Sequence, residues 1–352
     1  MSNSSRTTLK SLSQKLGFSV TTISRVLNGK AEKYRISKKT ADKIKQAAED
    51  LNFTPNSLAR GLRLKNTHTL GLVIPDISNP FFASIARSVE REARKCGYSV
   101  ILCDTEENTN LEVDSVQLLR GRNVEGLIVA PVGQISEHLE SVYKSGLPIV
   151  TIDRYFPEKD LPFVTSDNYK GAYEAVLYLI ENGHRKIACI RGLEKTSPNN
   201  DRLRGYKKAL SDNDIPMIES LIVGNSFGEQ NGYTEAKLLL KGLVKPTAIF
   251  AFSNLISLGT LRAIEEENLS VPENISIVTF DDHPYFDYLS TPMSTMAQQH
   301  NEIGQIATKI ILNQIKSKST YGTDGVLIPT KLIRRASVRR INQPNLQREE
   351  FV

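Results

Sequence analysis

The sequence contains no tryptophan and only three cysteines, Cys96, Cys103 and Cys189. These cysteines lie in apolar surroundings and lack the spacing of metal ligands, so they are interpreted as buried thiols of a reducing compartment. No stretch approaches the roughly 18 apolar residues of a membrane-spanning helix, and the N-terminus lacks the apolar core of a secretory signal. Glycine-rich phosphate loops and metal-ligand clusters are missing as well. We therefore expect a cytoplasmic protein without a cofactor, a bound metal or a membrane partner.

The chain carries a formal net charge of +6, but this charge is unevenly distributed. Residues 1–66 contain 14 lysines and arginines against 4 acidic residues, which leaves −4 for the remaining 286 residues. A segregated basic segment is typical of a unit that neutralises phosphates and releases condensed counterions. It predicts a nucleic acid partner; a solvated basic face on a small helical domain is the alternative.

Residues 8–28 have the pattern of two short helices joined by a tight turn. Apolar side chains share one face of the first helix: Leu9, Leu12 and Leu16. Thr8 is placed to cap this helix, Gly17 suits the positive φ of the turn, and Ser19 is placed to cap the second helix. In the second helix we expect buried Val20, Ile23, Val26 and Leu27, and accessible Thr21, Thr22, Ser24 and Arg25. This pattern predicts a helix-turn-helix, whose second helix fits the DNA major groove.

Two further segments complete the predicted N-terminal part. A third helix is expected over residues 37–51, capped by Ser37, with an inward stripe of Ala41, Ile44, Ala48 and Leu51. The basic connection 29–36 precedes it and is interpreted either as a loop that follows phosphates or as a solvated loop. After Pro55 comes a helical segment of about eight residues, which is too short to be stable alone. It is interpreted as a switch that orders with a partner, or as a plain linker.

From Thr69 onward the pattern changes to apolar runs separated by amphipathic helical stripes. The runs cover residues 70–74, 99–102, 126–130, 149–152, 186–190, 248–251 and 275–280. Runs without alternation suit strands buried on both faces, so we predict a doubly wound α/β domain with parallel sheets and two lobes. Ligands of such sheets bind beyond the carboxyl ends of the strands. The segments that follow the strands are 76–82, 153–154, 253–254 and 281–282.

Several motifs together resemble the lac/gal repressor (LacI/GalR) family over residues 7–343. The N-terminal motifs are SVTTISRVLN at 19–28 and PNSLARGLR at 55–63. The later ones are GLVIPDISNPFF at 71–82, IDR at 152–154, RLRGY at 202–206 and VTFDD at 278–282. The resemblance implies an all-α helix-turn-helix domain with a hinge helix, followed by an α/β two-lobed domain like a periplasmic binding protein. It also implies a homodimer that binds a pseudo-palindromic double-stranded DNA operator in the bacterial nucleoid.

The resemblance also implies domain boundaries. Residues 1–54 are expected to form the DNA-binding domain, 55–66 the hinge helix and linker, and 67–343 the effector-binding and dimerisation domain. Within the last, we expect an N-lobe of about 67–166 plus 298–324 and a C-lobe of about 167–297 plus 325–343. Residues 344–352 form a tail. Because the chain after Asn342 has no heptad pattern, we expect a dimer rather than a tetramer.

The DNA contacts implied by the resemblance carry over onto matching positions. Base contacts fall on Val20, Thr21 and Arg25, where Arg25 would make a bidentate contact with guanine. Backbone contacts that position the helix fall on Thr8, Ser19, Ser24 and Asn28. In the hinge, the minor-groove residues are Asn56, Ala59 and Leu62. Leu62 matches the wedge that unstacks a base step, with ordinary interdomain packing as its alternative.

The effector contacts implied by the resemblance are Phe81, Phe82, Asp153, Arg202, Phe227, Asn254 and Asp281. Asn254 stands where many members of the family have aspartate. Carboxylates accept hydrogen bonds from vicinal hydroxyls, an arginine offers a planar fork, and aromatic rings cover apolar faces, which suits a sugar. A purine would use the same rings, and a sugar phosphate would need more cationic side chains. The structural alternatives are two phenylalanines in the core and an Asp153-Arg154 ion pair at a strand end.

Two other functions compete with this interpretation. Residues 224–228 fit the G-x-S-x-G pattern of a hydrolase after an apolar run, with His283 and His300 as candidate bases, but no HGGG-like oxyanion segment is present. A transport protein of the same lobed fold would need a signal peptide and would not carry the N-terminal unit. The sequence thus predicts a transcriptional regulator rather than an enzyme, most simply a repressor controlled allosterically by a sugar. A corepressed regulator that responds to a purine or a sugar phosphate is the alternative, and induction, corepression and activation are all compatible with the sequence.

Overall fold

The computed structural model describes residues 8–51, 53, 66–133, 135–317 and 325–341. The chain forms two units, residues 1–67 and 68–352. The predicted hinge residues Asn56, Ala59 and Leu62 and the predicted tail 344–352 lie outside the described residues. Among the helices of the described part, none is both long and apolar enough to cross a membrane.

Three helices form the N-terminal unit: α1 (Leu9–Leu16), α2 (Val20–Leu27) and α3 (Lys38–Asp50). Each is preceded by a hydroxyl residue that accepts a hydrogen bond from a backbone N–H of the first turn. These caps are Thr8, Ser19 and Ser37, with N···O distances of 3.1, 3.1 and 3.2 Å. Gly17 has a φ of +72°, as the turn between α1 and α2 requires. The predicted helix-turn-helix, its caps and the third helix are confirmed.

The core of the N-terminal unit consists of the predicted apolar residues, with one correction. Its buried members are Leu12, Ile23, Val26, Ala41 and Ile44, and Ala48 is buried as well. The expectation that Val20 is buried is wrong, because its side chain is 43% exposed. Val20 is the first residue of α2, and the small core reaches only to Ile23 one turn further on.

Two six-stranded sheets form the centre of the second unit. The strands are β1 (Thr69–Ile74), β2 (Ser99–Asp104), β3 (Gly126–Val129), β4 (Ile149–Ile152), β5 (Phe163–Ser166), β6 (Ile187–Ile190), β7 (Ile222–Val223), β8 (Ala248–Ala251), β9 (Ser276–Phe280), β10 (Ser294–Ala297), β11 (Val326–Ile328) and β12 (Lys331–Ile333). The first sheet has the order β11-β5-β4-β3-β1-β2, and the second has the order β12-β10-β9-β8-β6-β7. All pairings of these strands are parallel except that of β10 with β12.

Helices flank both sheets. They are α4 (Pro80–Lys95), α5 (Thr109–Gly121), α6 (Glu137–Lys144), α7 (Asn168–Glu181), α8 (Ser197–Asp212), α9 (Glu229–Lys241), α10 (Asn254–Glu266) and α11 (His300–Ser317), with short 3-10 helices at Glu219–Leu221 and Pro284–Asp287. α11 packs against α4 and the first sheet, whereas α7 packs against α8 and the second sheet. The first sheet with its helices is the N-lobe, and the second sheet with its helices is the C-lobe. The strands β3, β4, β6, β8 and β9 are buried along their whole length, which confirms the predicted parallel α/β architecture.

Within the described residues, the chain crosses between the lobes three times: from β5 to α7, from β10 to α11, and from β11 to β12. The third crossing corrects the expected lobe boundary. The sequence analysis assigned residues 325–343 to the C-lobe, but β11 pairs with β5 in the N-lobe sheet. β11 is only three residues long, and nothing in so short an apolar run indicates which sheet it joins.

A close approach of α9 and α10 brings the residues before these two helices side by side. Gly259 of α10 packs on the first turn of α9, where a Cβ would lie 2.0 Å from the carbonyl O of Glu229. The hydroxyl of Ser253, which precedes α10, donates to the carbonyl O of Phe227, which precedes α9, at 3.0 Å. Packing between the two helices therefore fixes two residues at the carboxyl ends of β7 and β8.

Candidate functional site

The exposed face of α2 contains the three residues predicted to read bases. Val20, Thr21 and Arg25 are all exposed, whereas Ile23 and Val26 on the opposite face are buried. The exposed face combines an apolar side chain, a hydroxyl group and a guanidinium. Such groups are suited to thymine methyl groups and to the O6 and N7 atoms of guanine.

The connection between α2 and α3 folds back onto Arg25. The guanidinium carbon of Arg25 lies 3.9 Å from the ring centroid of Tyr34, which is a cation–π geometry. The backbone N–H of Lys30 donates to the carbonyl O of Arg25 at 2.9 Å, and that of Tyr34 donates to the carbonyl O of Lys30 at 3.2 Å. The connection is therefore a series of turns that supports the Arg25 side chain, a contact that the sequence analysis did not predict.

The four residues predicted to hold phosphates take part in helix caps and local hydrogen bonds. Thr8 and Ser19 cap α1 and α2 and are exposed at helix N-termini, where unpaired backbone N–H groups favour anions. Ser24 and Asn28 are half-buried, and the Nδ2 of Asn28 donates to the carbonyl O of Ser24 at 2.6 Å.

In the second unit, a cleft lies at the carboxyl ends of the strands and contains about 340 Å³ of space, part of it open to solvent. Residues of both lobes line it: Asn79, Phe81, Phe82, Glu107, Asp153, Arg154, Pro198, Arg202, Phe227, Ser253, Asp281 and Gln298. The structure thus brings together six of the seven residues predicted to contact the effector, all except Asn254.

Asp153 follows β4 and contributes one of two buried carboxylates of the cleft. Its φ is +60°, its side chain is almost fully buried, and its carbonyl O accepts a hydrogen bond from the Oγ1 of Thr165 at 2.5 Å. Oδ2 lies 4.0 Å from the Nε of Arg154. Burial raises the pKa of Asp153 to about 6, against the opposing effect of the nearby Arg154 and Arg202.

Asp281 follows β9 and contributes the second carboxylate. It has a φ of +71°, and positive φ in a residue other than glycine is common at ligand sites. Its Oδ1 accepts a hydrogen bond from the Nε2 of Gln298 at 2.5 Å, and its Oδ2 accepts one from the backbone N–H of Asn254 at 3.3 Å. Asn254 is fully buried and does not line the cleft, so its geometry supports Asp281 rather than an effector contact of its own.

Arg202 of α8 is buried in the cleft and interacts electrostatically with both carboxylates. Its Nε donates to the Oδ1 of Asn168 at 2.8 Å, and its Nη1 donates to the carbonyl O of Phe252. The guanidinium carbon lies 3.8 Å from the ring centroid of Phe280. Burial lowers the pKa of Arg202, and the charges of Asp281 and Asp153 act in the opposite direction.

Arg154 follows Asp153 and forms the strongest ion pair of the cleft. Its Nη1 and Nη2 donate to the two carboxylate oxygens of Glu107 at 2.7 and 2.6 Å, a bidentate geometry. Nη1 also donates to the carbonyl O atoms of Pro131 and Val132 at 3.2 and 2.9 Å. Burial would lower the pKa of Arg154, but the charge of Glu107 and its hydrogen bonds more than offset this and raise it.

Three phenylalanines provide the apolar surface of the cleft. The rings of Phe81 and Phe82 meet edge to face with centroids 5.0 Å apart, and both are almost fully buried. Phe227 packs directly over Gly192, where a Cβ would lie 2.1 Å from the ring. The guanidinium of Arg154 lies 5.5 Å from the centroid of Phe227. A ring-shaped ligand can thus be covered by aromatic faces from both lobes.

Six lining residues were not among the predicted effector contacts: Asn79, Glu107, Arg154, Pro198, Ser253 and Gln298. Asn79 and Ser253 cap α4 and α10, and both lie inside segments already predicted to follow strands. Arg154 lies in such a segment too, but its predicted partner was Asp153, whereas its bidentate partner is Glu107. Gln298 lies in a crossing between the lobes and carries no motif.

The G-x-S-x-G segment forms the turn between β7 and α9. Within the described residues the hydrogen bonds of the Ser226 side chain are local: its Oγ accepts one from the backbone N–H of Gly228 at 3.3 Å. The candidate bases His283 and His300 instead stack on each other with centroids 6.1 Å apart, and His300 also contacts Phe81. This geometry is that of a helix-entry turn rather than of a nucleophile with its base.

Comparison with known proteins agrees with this architecture. A model described as "Bacterial regulatory proteins, lacI family" matches residues 8–56. A second, described as "Periplasmic binding proteins and sugar binding domain of LacI family", matches residues 67–336.

Relatives match over nearly the whole chain. The HTH-type transcriptional regulator DegA of Bacillus subtilis (strain 168) is 32% identical over 342 residues, which cover 96% of this chain and 99% of DegA. A ribose operon repressor of Halalkalibacterium halodurans is 33% identical over 335 residues, which cover 95% of this chain and 97% of that repressor. A LacI family transcriptional regulator from Enterococcus faecium, solved with bound ribose, has a TM-score of 0.69 and 28% identity over 78% of this chain and 100% of that one. The chain therefore belongs to the LacI family of bacterial transcriptional regulators, which are DNA-binding proteins and not enzymes.

Proposed function

We propose that this protein is a repressor whose affinity for its operator is controlled by a sugar bound in the cleft. The chemistry of the cleft carries the proposal. The carboxylates of Asp153 and Asp281 and the amide of Gln298 are suited to hydroxyl groups, and the three phenylalanines are suited to the apolar face of a ring. Both guanidinium groups already have acceptors, which favours an uncharged sugar over a sugar phosphate. A ribose operon repressor and a ribose-bound regulator among the similar proteins support a sugar as the effector.

The proposed operator contacts use the N-terminal unit of two chains. Val20, Thr21 and Arg25 would contact base edges, and Thr8, Ser19, Ser24 and Asn28 would contact phosphates. Asn56, Ala59 and Leu62 of the hinge would enter the minor groove, with Leu62 as the wedge. A homodimer on a pseudo-palindromic operator places the two recognition helices in successive major grooves. The protein would act in the cytoplasm, at the bacterial nucleoid.

Control of the operator is proposed to pass through the hinge. A sugar that contacts both lobes stabilises one angle between them and thereby changes the spacing of the two hinge segments in the dimer. Since a segment of about eight residues is marginally stable as a helix, a small displacement is enough to form or melt it. A coupling free energy of about 1–3 kcal/mol changes operator affinity about 5- to 150-fold.

The test is to sequence the genomic fragments that the purified protein retains at physiological salt, with and without candidate sugars and purines. We expect a shared pseudo-palindrome of about 14–20 base pairs whose retention changes with a sugar. Retention without a common motif would contradict sequence-specific regulation. A change in retention with purines but not with sugars would show that the effector is a purine.

Replacing Asp153 by Asn should weaken sugar binding and stabilise the folded protein above pH 6. The folded-state pKa of about 6 lies above the value of 3.8 for an unperturbed aspartate, so the folded chain holds the proton more tightly than the unfolded chain. The ionised carboxylate therefore lowers the free energy of unfolding at pH 7 and above, by up to about 3 kcal/mol, and this cost disappears below pH 3.8. Asparagine tolerates the positive φ of this position and removes the charge.

Thermal unfolding and sugar titration at pH 5 and pH 8 check this prediction. The gain in melting temperature should be larger at pH 8, and the wild-type protein should lose sugar affinity as the pH falls through about 6, because hydroxyl groups donate to the ionised carboxylate. Asp160→Asn, at an exposed position, is the matched control and should change neither property. An equal melting temperature for the Asp153 variant and the wild type at pH 8 would contradict the argument.

A further inference from the structure

Among the described residues that line the cleft, Arg154 is the one cation that forms an ion pair with a partly exposed carboxylate, that of Glu107. Arg154 is 2% exposed, whereas the side chain of Glu107 is 38% exposed. Both line the cleft. The pair therefore extends from the solvent-accessible side of the cleft to its interior, and it is made by side chains of two separate loops.

The loop that carries Glu107 is anchored so that the carboxylate is held in place. Glu107 follows β2 and has a φ of +54°, and its backbone N–H donates to the carbonyl O of Pro75 at 2.9 Å. The preceding Thr105 donates from its backbone N–H to the carbonyl O of Ile74 at 3.0 Å. The carboxylate is thus presented to Arg154 by a loop tied to the end of β1.

The remaining groups on Arg154 offer little to an incoming anion. Nη1 is shared among Glu107, Pro131 and Val132, and Nη2 donates to Glu107. Nε is buried without a hydrogen-bond partner in the described part of the chain, and it lies 4.0 Å from the Oδ2 of Asp153. A phosphate that approached this arginine would have to displace a bidentate carboxylate.

The other charges of the cleft also disfavour the binding of an anion. The charged lining residues are Glu107, Asp153, Arg154, Arg202 and Asp281, with three carboxylates against two guanidinium groups. Arg202 is occupied by Asn168 and by the carbonyl O of Phe252. In a partly enclosed cleft, fixed carboxylates repel an anion more strongly than they would in bulk water.

We propose that Glu107 is a specificity-determining residue: by neutralising Arg154 it restricts the cleft to uncharged ligands and excludes their phosphate esters. The proposal rests on the proposed function, in which the cleft binds a sugar, and it assigns the charge class of that sugar to one residue. Loss of the carboxylate frees the Nη2 of a buried guanidinium and leaves the more distant Asp153 beside it, so an anion from solution can take the vacated position. Replacing Glu107 should therefore raise the affinity of the cleft for phosphorylated ligands.

The test is a calorimetric titration of three proteins with D-ribose, D-ribose 5-phosphate and inorganic phosphate. The proteins are the wild type, Glu107→Gln, which keeps the shape of the side chain, and the control Glu106→Gln. Glu106 is exposed on the same loop with a similar φ of +50° and does not line the cleft. Anion binding by the basic N-terminal unit is common to all three and cancels in the comparison.

We expect the affinity of Glu107→Gln for ribose 5-phosphate and for inorganic phosphate to exceed that of the wild type and of Glu106→Gln by about tenfold or more. Changing Arg154 to Gln in the Glu107→Gln background should remove the gain. Equal phosphate affinity in all three proteins, or a wild type that prefers the phosphate ester to the sugar, would overturn the proposal. A wild type that binds no sugar, combined with a gain of phosphate binding in Glu107→Gln, would refute the proposed sugar effector but support the role of Glu107.

Discussion

An Arg25→Ala variant should lose its preference for one operator sequence while keeping weak binding that decreases steeply with salt. Arg25 is the only arginine on the exposed face of α2, and a bidentate contact with guanine contributes about 1–3 kcal/mol of discrimination. A dimer loses this contact in both half-sites. The phosphate contacts remain, because they come from other residues and carry no sequence information. Operator titrations against a scrambled duplex at several salt concentrations measure both effects.

The control for Arg25 is Lys45→Ala, which removes one positive charge from an exposed position of α3. It should reduce the affinity for operator and scrambled DNA about equally. Tyr34→Ala provides a second comparison, since it leaves Arg25 in place but removes the ring on which the guanidinium rests. We expect an intermediate loss of specificity, because the arginine must then be ordered at the moment of binding. If Arg25→Ala retained the full preference of the wild type, Arg25 would not read bases.

An Arg202→Leu variant should be strongly destabilised and should no longer respond to the effector. Each buried group left without its hydrogen-bond partner costs about 1–3 kcal/mol, and the substitution removes a buried positive charge that interacts with the carboxylates of Asp153 and Asp281. It also removes the donors to Asn168 and to the carbonyl O of Phe252. Thermal unfolding and operator binding with and without the sugar measure the two consequences.

Two further variants keep this prediction testable if Arg202→Leu fails to fold. Arg202→Lys keeps the charge but loses the planar group that stacks on Phe280, so we expect a folded protein with weakened effector binding. Arg204→Leu, two residues along the same helix and 66% exposed, is the matched control and should unfold within a few degrees of the wild type. A melting temperature of Arg202→Leu equal to that of Arg204→Leu would show that the buried guanidinium does not stabilise the cleft.

Local patterns were sufficient to predict the elements of this fold. The caps Thr8, Ser19 and Ser37 are each followed by an apolar stripe with helical spacing, and hydrogen bonds within one turn determine where such helices begin. The buried strands of both sheets were visible as uninterrupted apolar runs. The strands β5, β7, β10, β11 and β12 were not among the predicted runs, because each has only two to four residues, and β5, β10 and β12 also contain threonine, serine or lysine. They are strands because a neighbouring strand supplies their hydrogen bonds.

The residues of the cleft also fall into two groups, those that the local sequence could predict and those that depend on the tertiary fold. Asp153 and Asp281 were predictable because each directly follows a buried strand. The Glu107–Arg154 pair was not, because the two residues are 47 positions apart and their contact depends on how β2 and β4 are placed in the sheet. The exposure of Val20 was missed for a related reason: helical spacing assigns a face to a residue but does not say how far the core extends along the helix.

The three crossings between the lobes have a mechanical consequence. Two bodies joined by a single chain segment can reorient freely, whereas three connections restrict how one lobe can move relative to the other. A ligand that contacts both lobes therefore acts on the same few relative motions that thermal fluctuations populate. Any molecule that contacts both lobes favours one relative orientation of the lobes, whatever its chemical identity. Exchanging side chains in the cleft can therefore change which molecule is sensed without redesigning the response.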